Sequence, residues 1–335
     1  MAVEVAPPGA VPPRAALRPL VVVGALTALG VGLRLLDPGR VAWVQNFLIV
    51  FGGLLIEAVP FVLLGALVSA AIEVFVPATA FERLARLPRP LQLPAAGLAG
   101  LAFPVCECGS VPVARRMAAK GLLPGAAVTF MLAAPIVNPV VIAATFVAYQ
   151  GRDALWTMVL GRVGLGLAVA VAAGWVMGTS SREELLRPLA PGPEPIALGR
   201  PEPRWSAFFG HLAGDFLFMG RFLVLGATAA ATVQTFVPQT VVGLVADTPV
   251  VSLLAMMGLA FLLSLCSESD AFVAASFVRF GPAAQLAFLV FGPVVDMKLA
   301  ALYMGTYRRG FTRTVVVVAA AVTLVGTLWI EVFAG

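Results

Sequence analysis

The chain has 335 residues, 60% of them hydrophobic and only 12% charged. An ordinary soluble domain carries charge on about a quarter of its residues, so that class is excluded. The net charge of +5 comes from basic residues scattered through short connections, which excludes a nucleic-acid partner and leaves the lipid bilayer as the surrounding medium.

The first 18 residues are Pro-rich and are expected to be disordered. The apolar run over 19–36 has Arg14 and Arg18 before it, Arg34 and Arg40 after it, and no small-x-small cleavage site. It reads as an extra, retained N-terminal transmembrane helix within 19–43. Apolar runs then recur at 44–76, 92–105, 122–149 and 154–177, and again at 207–236, 249–266, 283–306 and 314–334. A bilayer-spanning helix needs roughly 20 such residues, so the fold class is an all-α polytopic membrane protein. The stretch from Thr179 to Arg204 is polar and holds several prolines, as a linker does. The expected organisation is a first membrane repeat over 44–178, a cytoplasmic linker over 179–206 and a second repeat over 207–335.

The two halves resemble each other. Phe61 to Ala66 matches Phe222 to Ala227, and Phe75-Val76-Pro77 matches Phe236-Val237-Pro238. Further on, Cys108 falls opposite Cys266, Pro124 opposite Pro282, Pro135 opposite Pro293, and Asn138 opposite Asp296. Apolar matches come cheaply in such a chain; the Cys and Pro matches carry the weight.

The basic residues set the expected topology. If every apolar run crosses the bilayer, Arg115, Arg116, Lys120 and the 182–204 region all fall outside. If the Cys-bearing run of each half enters and leaves on one side, only Arg40, Arg152 and Arg279 remain outside. The second arrangement obeys the positive-inside rule and places the N-terminus in the cytoplasm. It also makes the two repeats inverted, each with a broken or re-entrant helical hairpin, a design used by transporters.

Residues able to do chemistry cluster at the predicted breaks. Phe103-Pro104-Val105-Cys106-Glu107-Cys108-Gly109-Ser110-Val111-Pro112 sets two thiols about a carboxylate. Thiolates suit soft metal ions and metalloids. The second half carries Cys266-Ser267-Glu268-Ser269-Asp270. Charges at bilayer depth cost about 2.5–3.5 kcal/mol each on insertion scales, so Glu268 and Asp270 are expected in a protected cavity, where they could exchange protons. The candidate substrate-binding set is Cys106, Glu107, Cys108, Ser110, Asn138, Cys266, Glu268 and Asp270, with Cys106, Cys108, Cys266 and Glu268 as candidate metal ligands. Asp296, Lys298, Glu57, Asp215 and Arg221 are candidates for gating or charge pairing. An unpaired buried ammonium is expensive, so Lys298 is expected to pair with Asp296, Glu268 or Asp270.

The motifs at 103–113, 134–140 (Ala-Pro-Ile-Val-Asn-Pro-Val) and 266–272 (Cys-Ser-Glu-Ser-Asp-Ala-Phe) resemble the predicted-permease family that includes the ArsP organoarsenical exporters and YraQ-like permeases. The resemblance runs from about residue 44 to the end. It implies a permease of the bacterial inner membrane, not an enzyme, with Cys106, Cys108 and Cys266 binding a trivalent metalloid; other members are associated with zinc. No Walker A sequence or ATPase domain is present, so transport is expected to be secondary or driven by an accessory subunit, with no cofactor. Protons are a candidate coupling partner, and a homo-oligomer is compatible with the sequence. Two other readings stay open: a membrane thiol oxidoreductase using Cys106 and Cys108, and a non-transporting subunit of a metal-homeostasis complex.

Overall fold

In the computed structural model the described residues are 42–77, 88–101, 105–178, 204–236 and 249–334. The Pro-rich tail, nearly all of the expected N-terminal helix and the linker up to residue 203 lie outside them. The chain parts into two units, Met1–Ile49 and Val50–Gly335. Of the first, residues 42–49 are described, and they are helical. All packing below is within the second.

The first half is built from α1 (Ala42–Phe75), α2 (Arg89–Leu98) with a 3₁₀ turn over Ala99–Leu101, α3 (Glu107–Ala119), α4 (Pro124–Val137), α5 (Pro139–Tyr149) and α6 (Leu155–Met177). The second half follows the same order: α7 (Arg204–Phe236), α8 (Pro249–Leu263), α9 (Asp270–Ser276), α10 (Pro282–Phe291), α11 (Met297–Thr306) and α12 (Arg309–Ala334). Among the described residues the fold is all-α. By length and composition, α1, the α4–α5 pair, α6, α7 and α12 are able to cross a membrane. The protein is therefore a multi-pass membrane protein. The window over Pro124–Tyr149 is 61% buried and that over Gly310–Val332 only 22%, so the α4–α5 pair is an inner element and α12 an outer one.

The breaks have identifiable causes. The apolar run over 122–149 divides at Asn138, whose side-chain oxygen accepts from Val140 N at 2.9 Å, with Pro139 starting α5. Proline at a first helical position loses no bond and arrives with the required φ. The run expected as one span over 283–306 is two helices. Pro293 has no N–H to continue α10, and Asp296 Oδ1 starts α11 by accepting from Leu299 N at 2.6 Å. The aligned Asn138 and Asp296 thus do the same work, capping the second limb of a broken helix.

The Cys motifs also sit at breaks. α2 and α3 have 10 and 13 residues, α8 and α9 have 15 and 7, so none reaches the span length alone. The halves interlock: α6 packs on α4 and also on α10 and α12, while α9 packs on α5. Close approach is bought with glycine at two aligned positions. A Cβ at Gly65 would run into the Gly109 backbone of α3, and one at Gly226 would lie 2.7 Å from Lys298 Cα on α11.

Candidate functional site

The first wall of the site is the opening turn of α3. Cys106 caps it, its Sγ accepting from Gly109 N at 3.4 Å, and Glu107 begins the helix. A carboxylate in a first turn is favoured by the helix dipole. Ser110 is committed elsewhere: its hydroxyl lies 2.9 Å from both Glu107 O and Met131 O, tying α3 to α4. All residues from Val105 to Ala114 are buried.

The second wall is the non-helical segment between α8 and α9. Ser264 turns the chain with φ of 48°, a left-handed conformation for a non-glycine residue. Its hydroxyl donates to Phe261 O at 3.1 Å and accepts from Met297 N at 3.1 Å, which pins the break of α8 to the start of α11. The Cys266 carbonyl then receives the amides of Ser269 and Asp270, each at 3.0 Å, as α9 begins.

The two walls meet. Ser267 Oγ donates to Glu107 Oε2 at 3.0 Å, with Glu268 Oε2 a longer alternative at 3.5 Å. Lys298 Nζ lies 4.0 Å from Glu107 Oε1 and 3.8 Å from Cys266 Sγ. Glu57 of α1 accepts from Ser269 Oγ at 2.7 Å. Glu107 is the hub: Cys106, Cys108, Cys266, Glu268, Asp270, Asp296 and Lys298 all lie within reach of its charge. Among the described residues, four buried carboxyl oxygens have no hydrogen-bond partner: Glu107 Oε1, Glu268 Oε1, Asp270 Oδ1 and Asp296 Oδ2. All three cysteines are free thiols and buried. Even so, among the described residues no group of three or more His, Cys, Asp and Glu side chains is set around a metal position. The donors share one buried region without being drawn together on a single point.

Pairing differs from the expectation in one respect. Lys298 has Glu107 of the other half within ion-pair distance, while Asp296, whose charge also acts on it, gives its Oδ1 to Leu299 N as a helix cap. Asp270 pairs instead with Arg162 of α6, Nη2 to Oδ2 at 2.8 Å. Arg162 also donates to Ser267 O at 3.0 Å and to Thr145 Oγ1 at 2.9 Å. It is 1% exposed and is not among the residues expected from the sequence to form the site. The available signal was a lone cation in the apolar run over 154–177, of the kind that singled out Lys298. Ser267, which nothing in its residue type marks out, makes one of the contacts between the halves.

Asp215 and Arg221 lie away from this centre. Asp215 accepts from Ser69 Oγ at 2.7 Å and pairs with Arg116 of α3 at 3.1 Å. Arg116 reaches Glu73 at 3.4 Å and His211 Nδ1 at 3.3 Å, so it holds α1, α3 and α7 together. Lys120 donates to the carbonyls of Ile72, Glu73 and Val76, each at 2.7 Å, closing the C-terminal end of α1. Arg221 stacks over the Phe218 and Phe222 rings at 4.4 and 4.8 Å.

Comparison with known proteins gives the arrangement its context. The profile described as "Predicted permease" (ArsP_1) matches residues 44–331. The UPF0718 protein YcgR of Bacillus subtilis (strain 168) is 37% identical over 284 residues, 84% of this chain and 96% of that protein. A putative two-component membrane permease complex subunit of Streptococcus mutans serotype c is 32% identical over 271 residues, 80% of this chain and 89% of that protein. No solved structure matches the chain.

Proposed function

The chain belongs to the predicted permease family, and from that premise we propose that it is a secondary permease carrying a soft metal or metalloid species through the buried centre around Glu107. In this reading the two halves are inverted repeats in a bacterial inner membrane, with the N-terminus cytoplasmic. Cys106, Cys108 and Cys266 supply thiols, and Glu268 and Asp270 supply charge or accept protons. Asp296 and Lys298 hold the second broken helix at the cargo. The observation that carries the reading is the Ser267–Glu107 hydrogen bond of 3.0 Å. It joins the Cys motifs of the two halves at a depth where each charged group is costly. Irregular backbone is tolerated there when it lines a protected path.

The experiment is flux of arsenite-type, zinc and cadmium species into proteoliposomes holding the purified chain. Cys108→Ser and Cys266→Ser are each expected to stop thiol-dependent flux. Unchanged rates in both would reject the site.

A second reading has one observation in its favour. The printed name of the Streptococcus mutans relative describes that protein as a subunit of a two-component complex. If this chain also works with a second subunit, the purified chain alone is inactive in liposomes and regains flux when the partner is added.

A further inference from the structure

We propose that the Lys298 ammonium is a tethered competitor for the cargo: in the unloaded protein it takes the place that a thiophilic cation takes between Glu107 and Cys266. The proposal rests on the permease reading above and adds that the cargo binds as a cation. Three observations carry it.

First, Lys298 is 1% exposed, yet its ammonium is poorly served. It has three donors, and its two contacts among the described residues are a thiol at 3.8 Å and a carboxyl oxygen at 4.0 Å. Both are long for charge-assisted bonds, which run about 2.7–2.9 Å. Second, the oxygen it faces, Glu107 Oε1, has no hydrogen-bond partner among the described residues, and neither does Oδ2 of Asp296, two residues before Lys298. These carboxyl oxygens are left open for a cation that comes closer than an ammonium does. Third, the backbone of Lys298 is clamped while its tip is not. Gly226 packs on Lys298 Cα so tightly that a Cβ would lie 2.7 Å away. The geometry therefore holds α11 in place and leaves only the ammonium tip loosely bonded.

An ammonium and a bound cation cannot share this seat, since two positive charges about 4 Å apart in a medium of intermediate dielectric repel strongly. Cargo entry then moves the Lys298 charge away from Glu107, and cargo exit lets it return. An unloaded carrier would keep its carboxylates neutralised without a borrowed ion.

The test is Cd2+ titration of the full chain in nanodiscs at fixed pH, read by the ultraviolet thiolate-to-cadmium charge-transfer band. Lys298→Met and Lys298→Gln remove the charge, the second keeping a polar tip in case the first does not fold. Each is expected to bind Cd2+ roughly tenfold or more tighter than the wild type, while Lys298→Arg binds no tighter. In the wild type itself, the Lys298 ζ-nitrogen resonance is expected to move as Cd2+ fills the site. Cys266→Ser should weaken the band. Thiol-dependent binding that is equally tight whatever stands at 298, with a stationary lysine resonance, overturns the competitor proposal and leaves the permease reading standing. Absence of binding in the wild type and all Lys298 variants removes both.

Discussion

The Arg162–Asp270 pair offers the sharpest test of how the halves are held together. The two side chains are 1% and 4% exposed and meet at 2.8 Å, Arg162 on α6 and Asp270 at the start of α9. An ordinary interhelical hydrogen bond in a membrane protein is worth about 0.6 kcal/mol. Truncating one member of a buried ion pair leaves a bare charge and costs about 3–5 kcal/mol, roughly two to four powers of ten in the folded ratio. Asp270→Ala leaves Arg162 with only Thr145 Oγ1 and Ser267 O to receive its donors. The larger figure therefore applies. Arg162→Met strands Asp270 in the same way. The double variant has no charge to strand and should recover most of the loss. The assay is reversible unfolding in mixed micelles for the wild type, both single variants and the double. Single losses near 0.6 kcal/mol, or a double variant that costs the sum of the two, would refute the reasoning.

Other outcomes follow from the same contacts. Asp296→Asn keeps a capping oxygen for Leu299 N and should leave stability near wild type, while Asp296→Ala should lose about 1 kcal/mol in thermal unfolding. Gly226→Ala drives a Cβ to 2.7 Å from Lys298 Cα and should cost about 1–3 kcal/mol, whereas Gly220→Ala meets nothing within 4 Å and should be neutral or slightly stabilising. Asp215→Asn weakens a pair whose side chains are each 17% exposed, so stability should fall by no more than about 1 kcal/mol. Cys106→Ser retains a capping side chain for Gly109 N and should fold normally, which makes its flux a clean measure of the thiol.

Much of the fold is legible in the chain because a bilayer demands long apolar runs. The run over 154–177 appears as α6 and that over 207–236 as α7, each extended or trimmed by at most three residues. Breaks inside a run are less legible: 122–149 reads as one apolar run although Asn138 and Pro139 divide it. The division of 283–306 was missed because Gly292 and Pro293 sit in apolar surroundings, and apolar periodicity does not register a break that a later cap creates. The Cys motifs of the two halves come together as the aligned cysteines imply, through Ser267 and Glu107. Pairing partners were harder. Lys298 faces two chemically equivalent neighbours, and only the backbone fixes Asp296 as a cap and leaves Glu107 to it. Arg162 reads as one more basic residue until α9 is packed near it.

The central claim is that the two Cys motifs share one buried centre. Its most direct measurement is cross-linking in native membranes of a chain whose own cysteines are replaced and which carries Glu107→Cys with Ser267→Cys. These side chains meet at 3.0 Å in the wild type, so mercuric ion or a short bifunctional thiol reagent is expected to join them within a single chain. Two thiols that each react singly with a small membrane-permeant reagent, yet never join, would contradict the account.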